Sequence, residues 1–312
     1  MSNLRGFSGF REMLTARQKA VNSLVCMGLD PLPEKLPACI EQKMFDFGSW
    51  AKDLSPQAAG IVNWMYEIVR ATAPYTSMFK PQKAHWEAFP HGQQALAFLV
   101  NMIHLNFPDI PVFLDCKRGD IDRTQARYME AQLGLDGVDG MNFPPYMGKE
   151  CMQFLIDKEK YPGRALVGLC YTSNKSARET QDVRLANGQA YWEFMAGTIL
   201  KWAKELGVVA DAGLVMAAAH KDTRDPKKIF SFHLSQVRKI VGNELWFLIP
   251  GIGTQGGFVE ETVRTSFTGS GSIAISSSSD IIFASSGEDF AEAAARKAEE
   301  LRDQIRAAGG NC

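Results

Sequence analysis

Three charged residues that lie close together, Asp115, Lys117 and Asp120, could carry acid–base chemistry. They follow an apolar run at 110–114 that is typical of a buried strand. Because side chains alternate faces along a strand, we expect Asp115 and Lys117 to point the same way, and we expect Gly119 to end the strand and leave Asp120 in a loop. Charges in this setting are costly unless they pair or act on a ligand. The pattern favours a reactive site, with a structural salt bridge as the alternative.

Eight short apolar segments, each followed by a helical or polar segment, would position these charges. Continuous apolar strands are typical of a parallel sheet buried on both faces. Eight such units in roughly 250 residues predict an α/β fold, a single (β/α)8 barrel with an extra N-terminal helix at 8–20. We expect strands at 23–29, 76–79, 110–114, 137–143, 165–171, 212–218, 245–249 and 272–275. We expect further helices at 56–72, 92–105, 124–133, 189–206, 226–240 and 288–307.

An open, doubly wound sheet is the alternative architecture. Such a sheet usually has a glycine-rich turn after its first strand, whereas the glycine-rich segment here, 250–257, follows the seventh. The sequence shows no linker or low-complexity tract. We therefore expect residues 1–312 to form one barrel domain, with a long mobile loop at 174–188.

The composition is that of an ordinary globular protein, with 46% hydrophobic residues, 22% charged residues and a formal net charge of -1. It indicates neither a nucleic-acid nor a membrane partner, and no apolar run approaches the ~20 residues of a membrane span. The N-terminus lacks the apolar core of a signal peptide. Six cysteines without CxxC pairs indicate buried thiols in a reducing cytoplasm. The five histidines show no metal-ligand spacing, so no metal is expected.

In a (β/α)8 barrel, active residues come from the carboxyl ends of the strands and meet around one mouth. The polar residues expected there are Asp30, Lys80, Asp115, Lys117, Thr172, Ser173 and Gln255. Two lysines interleaved with two aspartates would hold one another charged. Glycines at 250–257 let backbone N–H groups approach a ligand, and barrels often bind phosphate after strands seven and eight. This segment is expected to bind phosphate, with a plain glycine-rich turn as the alternative.

The chain resembles the orotidine 5′-phosphate decarboxylases in three motifs that stand in barrel order. These are Lys80-Pro81, Asp115-x-Lys117-x-x-Asp120-Ile121-x-x-Thr124 and Pro250-Gly-x-Gly-x-Gln255-Gly-Gly. The similarity runs from about residue 20 to the C-terminal helix. The Asp-x-Lys-x-x-Asp motif is shared with related sugar-phosphate enzymes. The whole set, with Thr172-Ser173-Asn174 and the segment 282–290, is typical of the longer-chain (type 2) branch.

The resemblance implies a cofactor-free barrel homodimer that converts orotidine 5′-monophosphate to uridine 5′-monophosphate in de novo pyrimidine synthesis. Lys80, Asp115 and Lys117 of one subunit would form a charged tetrad with Asp120 of the other. Asp115 would lie against the substrate carboxylate, and Lys117 would protonate C6 as CO₂ departs. Lys80 would hold Asp115 and touch the ribose.

The resemblance also implies a set of substrate-binding residues, namely Asp30, Ile121, Thr124, Thr172, Ser173, Gln255, Gly256 and Ser279. Asp30 would bind the ribose hydroxyls, and Thr172 or Ser173 would read the amide edge of the pyrimidine. Gln255 would close over the phosphate, and Thr124 would act across the dimer interface. The segment 174–188 is the candidate lid.

After the eighth strand the chain departs from the family pattern. The family usually has Asn-Ser-Ser-Arg-small-Ile-Ile, whose arginine grips the phosphate; here Ser279 takes the place of the arginine and Asp280 that of the small residue. A guanidinium binds phosphate through bidentate contacts, whereas serine offers one hydroxyl. Arg264 is a candidate replacement cation. Asp122 is a second departure, at a position where a small residue is expected.

Three functions are compatible with the sequence. The intact tetrad favours an active decarboxylase whose phosphate site is weakened or rebuilt. Loss of the arginine favours a non-catalytic, nucleotide-binding relative. The third is a sugar-phosphate lyase or decarboxylase of the same barrel superfamily, usually with Mg²⁺, which Thr172-Ser173 and the lack of further clustered carboxylates disfavour.

Overall fold

The computed structural model describes residues 4–41, 53–153, 160–222, 225, 227–253 and 257–312. Its main sheet has eight strands: β1 Val25–Leu29, β2 Met78–Pro81, β3 Phe113–Leu114, β4 Gly140–Phe143, β5 Ala165–Tyr171, β6 Ala212–Met216, β7 Trp246–Pro250 and β8 Ile273–Ser277. They are parallel neighbours in the order β2-β1-β8-β7-β6-β5-β4-β3. All eight predicted strands are present.

Parallel bridges between β2 and β3 close the sheet into a barrel. Phe79 pairs with Val112, and Gln82 pairs with Asp115. The backbone N–H of Asp115 donates to the carbonyl of Pro81 at 3.0 Å. The predicted (β/α)8 barrel is therefore confirmed.

Long helices alternate with the strands in most of the connections. They are α1 Phe10–Val21, α2 Pro56–Thr72, α3 Gly92–Asn106, α4 Asp122–Met129, α5 Tyr191–Glu205, α6 Phe232–Val241, α7 Val259–Ser266 and α8 Phe290–Ala307. Shorter helices span Ala38–Glu41, Lys83–Glu87, Glu150–Gln153, Ala177–Gln181 and Ser279–Ile282, and a wider helical turn, Glu130–Leu135, extends α4. No helix in the described part of the chain is long and apolar enough to cross a membrane.

The connections after β6 and β7 differ from the sequence prediction. The helix predicted at 226–240 begins only at Phe232, because Ile229–Phe230 pairs with His220–Lys221 in an antiparallel hairpin. The helix α7 was not predicted. Both features lie in connections after strands whose positions were predicted correctly. They therefore do not change how the strands of the barrel pair.

The N-terminal helix α1 packs against the amino-terminal end of the barrel. The ring of Phe10 stacks on Trp246 with 5.4 Å between centroids and meets Phe113 edge-on at 6.0 Å. The same interior cluster contains Leu4, Leu14, Cys26, Met78, Ala165, Val167, Val215, Leu248 and Ala274. Side chains therefore fill the lower half of the barrel, and polar groups collect at the opposite end.

A buried ion-pair network fixes this lower end. Asp139, just before β4, has a fully buried side chain and lies 2.7 Å from Arg5, 2.6 Å from Arg164 and 3.2 Å from His104. Its Oδ2 also accepts the backbone N–H of Val112 at 2.8 Å. Burial would raise the pKa of Asp139, but hydrogen bonds and charge from His104 and Arg5 hold it well below its ordinary range. This network joins the N-terminal segment to the barrel.

Candidate active site

A cavity of about 660 Å³ opens at the carboxyl ends of the strands. Its lining includes seven of the predicted site residues, namely Asp30, Lys80, Asp115, Lys117, Thr172, Ser173 and Ser279. Gln255 and Gly256, also predicted, lie outside the described residues. The barrel thus brings together groups from the ends of β1, β2, β3, β5 and β8, as the strand order requires.

Asp115 lies between two lysines at the floor of this cavity. Lys117 Nζ donates to Asp115 Oδ1 at 2.6 Å, and Lys80 Nζ lies 3.6 Å from Oδ2. Burial would raise the pKa of Asp115, but the charges of Lys80 and Lys117 lower it to about 2. At neutral pH the carboxylate is therefore ionised and faces a cation on each side.

Lys80 and Lys117 differ in their exposure to solvent. Lys80 is 5% exposed, whereas the side chain of Lys117 is 47% exposed. Burial would lower the pKa of Lys80, but Asp30 and Asp115 raise it above its ordinary value. Lys80 is a fixed positive charge under the cavity, and Lys117 is the lysine with room to meet a ligand.

The sequence suggested that the alternation of side chains along a strand would bring Lys117 close to Asp115. The structure shows a different cause. The strand β3 ends at Leu114, and Lys117 has a φ of 50°, in the left-handed region that non-glycine residues rarely occupy. Strand pairing stops after Asp115. The backbone N–H groups of Cys116 and Lys117 donate to the side chain of Asn142 instead of to a neighbouring strand. The pairing of acid and base was predicted correctly, but a tight turn produces it.

Asp30 binds backbone as well as facing the cavity. It follows β1, and its Oδ1 accepts the N–H of Gln82 at 3.0 Å. In the register of β1 and β2, Gly28 lies opposite Lys80. A Cβ on Gly28 would lie 2.4 Å from the Cβ of Ser278, so only glycine lets the segment after β8 approach β1 this closely.

Gln181, which sequence reasoning missed, holds Thr172 at the end of β5. Its Oε1 accepts the N–H of Thr172 at 2.9 Å, and its Nε2 donates to Thr172 Oγ1 at 2.8 Å. Gln181 belongs to the short helix Ala177–Gln181, within the segment predicted to be a mobile loop. The candidate lid therefore contacts the cavity through this amide.

Four serines at the carboxyl end of β8, Ser276 to Ser279, line this part of the cavity. Arg264 does not line it, because both Nε and Nη2 pair with Glu261, one turn away on α7, at 3.0 and 2.5 Å. The replacement cation suggested by the sequence is therefore absent from this position.

Asp120, Ile121 and Thr124 lie outside the lining of this cavity. Asp120 is half-buried, its N–H donates to Gln125 Oε1 at 2.8 Å, and Ile121 and Thr124 are exposed at the start of α4. Asp122 has a left-handed φ of 47°, a conformation that aspartate tolerates better than most side chains. Within one chain, Asp120 does not line the cavity with Lys80, Asp115 and Lys117.

Asn142, on β4, is another cavity residue that sequence reasoning missed. It was recognisable as one of two polar residues, with Asp139, inside the predicted strand 137–143. No group of three or more histidine, cysteine, aspartate or glutamate side chains arranged to hold a metal occurs in the described ranges.

Comparisons with known proteins agree on one family. The sequence model described as "Orotidine 5'-phosphate decarboxylase / HUMPS family" matches residues 23–294. An orotidine 5′-phosphate decarboxylase of Ralstonia nicotianae is 36% identical over 298 residues, 95% of this chain and 97% of the relative. One from Bordetella petrii is 34% identical, covering 95% and 98% of the two chains. A solved OMP decarboxylase of Leishmania donovani superposes with a TM-score of 0.70 at 26% identity, covering 95% and 99%. This chain therefore belongs to the orotidine 5′-phosphate decarboxylase / HUMPS family.

Proposed function

We propose that this chain is a carboxy-lyase that converts orotidine 5′-monophosphate to uridine 5′-monophosphate in pyrimidine synthesis. The observation that carries the proposal is the contact between Lys117 and ionised Asp115, with Lys80 behind them, at the floor of the barrel cavity. Relatives at 36% and 34% identity over nearly their whole length carry the name of this activity.

In the proposed reaction a negative charge lies beside the substrate carboxylate and a proton donor lies beside C6. Asp115 lies against the carboxylate, and the like charges favour its departure as CO₂. The electron pair of the broken C–C bond stays on C6, and the ammonium of Lys117 both stabilises the developing carbanion and supplies its proton. Because this charge is already in place, little reorganisation is needed during the reaction.

The remaining residues bind the parts of the substrate that do not react. Asp30 and Lys80 bind the ribose, and Thr172 or Ser173 recognises the pyrimidine amide. Binding energy from a remote phosphate can be used at the reacting carbon, for example through closure of the segment 174–188 over the cavity.

The phosphate end is the weakest part of this site. Gln255 and Gly256 would contact the phosphate, with Ser279 in place of an arginine. A hydroxyl lacks the charge and the second hydrogen bond of a guanidinium. We therefore expect an active enzyme with a high KM for its nucleotide.

The enzyme is proposed to be a cytoplasmic homodimer, each chain forming one barrel domain, with Asp120 and Thr124 completing the site of the partner subunit. Large apolar side chains near Asp120 are exposed on the isolated chain: Ile121 is 42%, Tyr146 89% and Met147 46% exposed. Exposed apolar side chains at a functional rim are typical of an interface. A second copy of the chain would cover them and bring Asp120 to its cavity.

The first test follows the loss of orotidine 5′-monophosphate absorbance with purified protein in EDTA. Turnover in EDTA is the expected result. No turnover, together with tight binding of uridine 5′-monophosphate, would overturn the proposal in favour of a non-catalytic relative. Turnover only after Mg²⁺ is added would favour the sugar-phosphate branch.

The dimer is tested by mixing two inactive variants, Lys117→Ala and Asp120→Ala. If Asp120 acts in the partner's site, each mixed dimer has one intact site, and subunit exchange should restore about one quarter of wild-type activity. No recovery after exchange has been verified would place Asp120 in its own subunit's site or outside catalysis.

A further inference from the structure

Asn142 bonds to three consecutive residues of the catalytic turn. Its Oδ1 accepts the backbone N–H groups of Cys116 and Lys117, at 3.0 and 2.7 Å. Its Nδ2 donates to Asp115 Oδ1 at 2.7 Å. Asn142 is 1% exposed, and its own carbonyl accepts the N–H of Arg118 at 3.3 Å.

These contacts fix the orientation of the amide. Two N–H donors face one end of the Asn142 side chain, so that end must be the oxygen, and the NH₂ group must face the carboxylate of Asp115. An aspartate here would place a second carboxylate against Asp115. A leucine of similar size would leave two backbone N–H groups without an acceptor.

The amide also accounts for the unusual backbone of Lys117. A left-handed conformation is unfavourable for lysine and persists only where surrounding contacts impose it. The Lys117 N–H is bonded to Asn142, while Lys117 Nζ and Asn142 Nδ2 converge on the same carboxylate oxygen. One buried side chain thereby sets the position of both the acid and the proton donor.

We propose that Asn142 is a positioning residue for decarboxylation, which holds Lys117 in its left-handed turn and orients Asp115 towards the substrate. This inference deepens the proposed function and rests on it. It assigns Asn142 a role in placing other groups, separate from binding the nucleotide, and its effect should appear in kcat.

Two variants separate the contacts. Asn142→Ala removes all the side-chain bonds. Asn142→Asp keeps an oxygen that can accept the two backbone N–H groups. It replaces the NH₂ donor with a second carboxyl oxygen. We expect kcat to fall about 100-fold in both, as expected for small displacements of reacting groups. The affinity for uridine 5′-monophosphate should change less than threefold.

A pH profile provides a signature that loss of stability cannot produce. The new carboxyl would face Asp115 from β4, with Lys117 beside it, Lys80 opposite on β2, and Asp30 after the end of β1. Two carboxyls this close raise the pKa of one of them. At acidic pH the protonated Asn142→Asp side chain can donate to Asp115, so its activity relative to wild type should fall as pH rises from 5 to 8.

Hydrogen exchange tests the bonds between the Asn142 side chain and the backbone of the turn, and it needs no substrate. In Asn142→Ala the amides of Cys116 and Lys117 should exchange at least tenfold faster than in wild type, as expected when about 1.4 kcal/mol of protection is lost. In Asn142→Asp they should stay protected. Because this readout needs no turnover, it stands even if the decarboxylase assignment fails.

Gln18 provides the matched control for burying a carboxyl in place of an amide. It is fully buried at the other end of the barrel, where it bonds Ile273 O and Gly271 N. Gln18→Glu should lower stability and leave kcat and its pH profile unchanged.

The proposal is overturned if Asn142→Ala keeps kcat within threefold of wild type. It is also overturned if both Asn142 variants lose nucleotide affinity in proportion to kcat/KM.

Discussion

Each end of the barrel holds an aspartate among cations, but the two aspartates have different roles. Asp139, at the lower end, is fully buried among Arg5, Arg164 and His104. Asp115, at the mouth, keeps 15% of its side chain exposed, and its partner Lys117 faces the cavity. Both aspartates have lowered pKa values.

A lowered carboxylate pKa therefore does not distinguish these two sites. The difference lies in what the charges can reach: at the lower end Asp139 is surrounded by Arg5, Arg164 and His104, whereas at the mouth a ligand has room to enter. Removing one partner of a charge network costs stability, whereas charges that line a cavity are available for chemistry. The following predictions test this distinction.

Removing the lysine at the mouth should have the largest effect. Lys117→Ala removes the proton donor, and we expect kcat to fall on the order of 1000-fold or more. The free energy of unfolding should change little, because the Lys117 side chain is half-exposed. Absorbance assays and urea unfolding would measure the two quantities, with Lys149→Ala, a lysine paired with Glu205 on the surface, as control. Wild-type turnover in Lys117→Ala would refute the proton-donor role.

Neutralising the aspartate at the lower end should have the opposite result. Asp139→Asn leaves partly buried cations without their anion, and we expect the free energy of unfolding to fall by about 3–5 kcal/mol. The kcat per folded molecule should stay within about twofold of wild type. Urea unfolding and active-site titration would test this. A large loss of kcat with unchanged stability would show that the lower end takes part in catalysis.

Adding charge at the two ends of β8 should separate them again. Ser279→Arg supplies the guanidinium that the resemblance leads us to expect at this position, and we expect KM to fall about 30-fold, the equivalent of roughly 2 kcal/mol. Ser270→Arg adds the same charge before β8, at the lower end, and should leave KM unchanged. Binding of uridine, which lacks the phosphate, should be unaffected in both variants. An equal fall in KM for the two would point to general electrostatic attraction.

The smallest effect is a pH dependence of stability. The folded-state pKa of Asp139 is lowered, so its contribution is fully present above the ordinary aspartate pKa of about 4 and is lost as pH falls towards the folded-state value. The stability gap between wild type and Asp139→Asn should shrink by about 1.4 kcal/mol per pH unit below pH 4. Unfolding curves between pH 3 and 7 would measure it. A constant gap would mean that Asp139 is not ionised in the folded chain.

Local sequence patterns were enough to place the barrel and most of its mouth. The helix 56–72 and the strand 165–171 were predicted to the residue, because apolar periodicity sets both. Asn142 and Gln181 were missed, because a single amide has no spacing pattern that indicates its partner. Arg264 was a candidate replacement cation because of its charge alone. In the structure it pairs with Glu261, one turn away on α7.

The sequence by itself determined the eight strands, the polar residues at their carboxyl ends and the family motifs. Only the tertiary structure decided how these residues meet. A tight turn, not a strand, brings Lys117 to Asp115, and this turn depends on Asn142, 25 residues later in the chain. Likewise, Asp139 gained its partners Arg5 and His104 through barrel closure. Contacts between residues far apart in sequence leave no local periodicity, so they become visible only when the chain has folded.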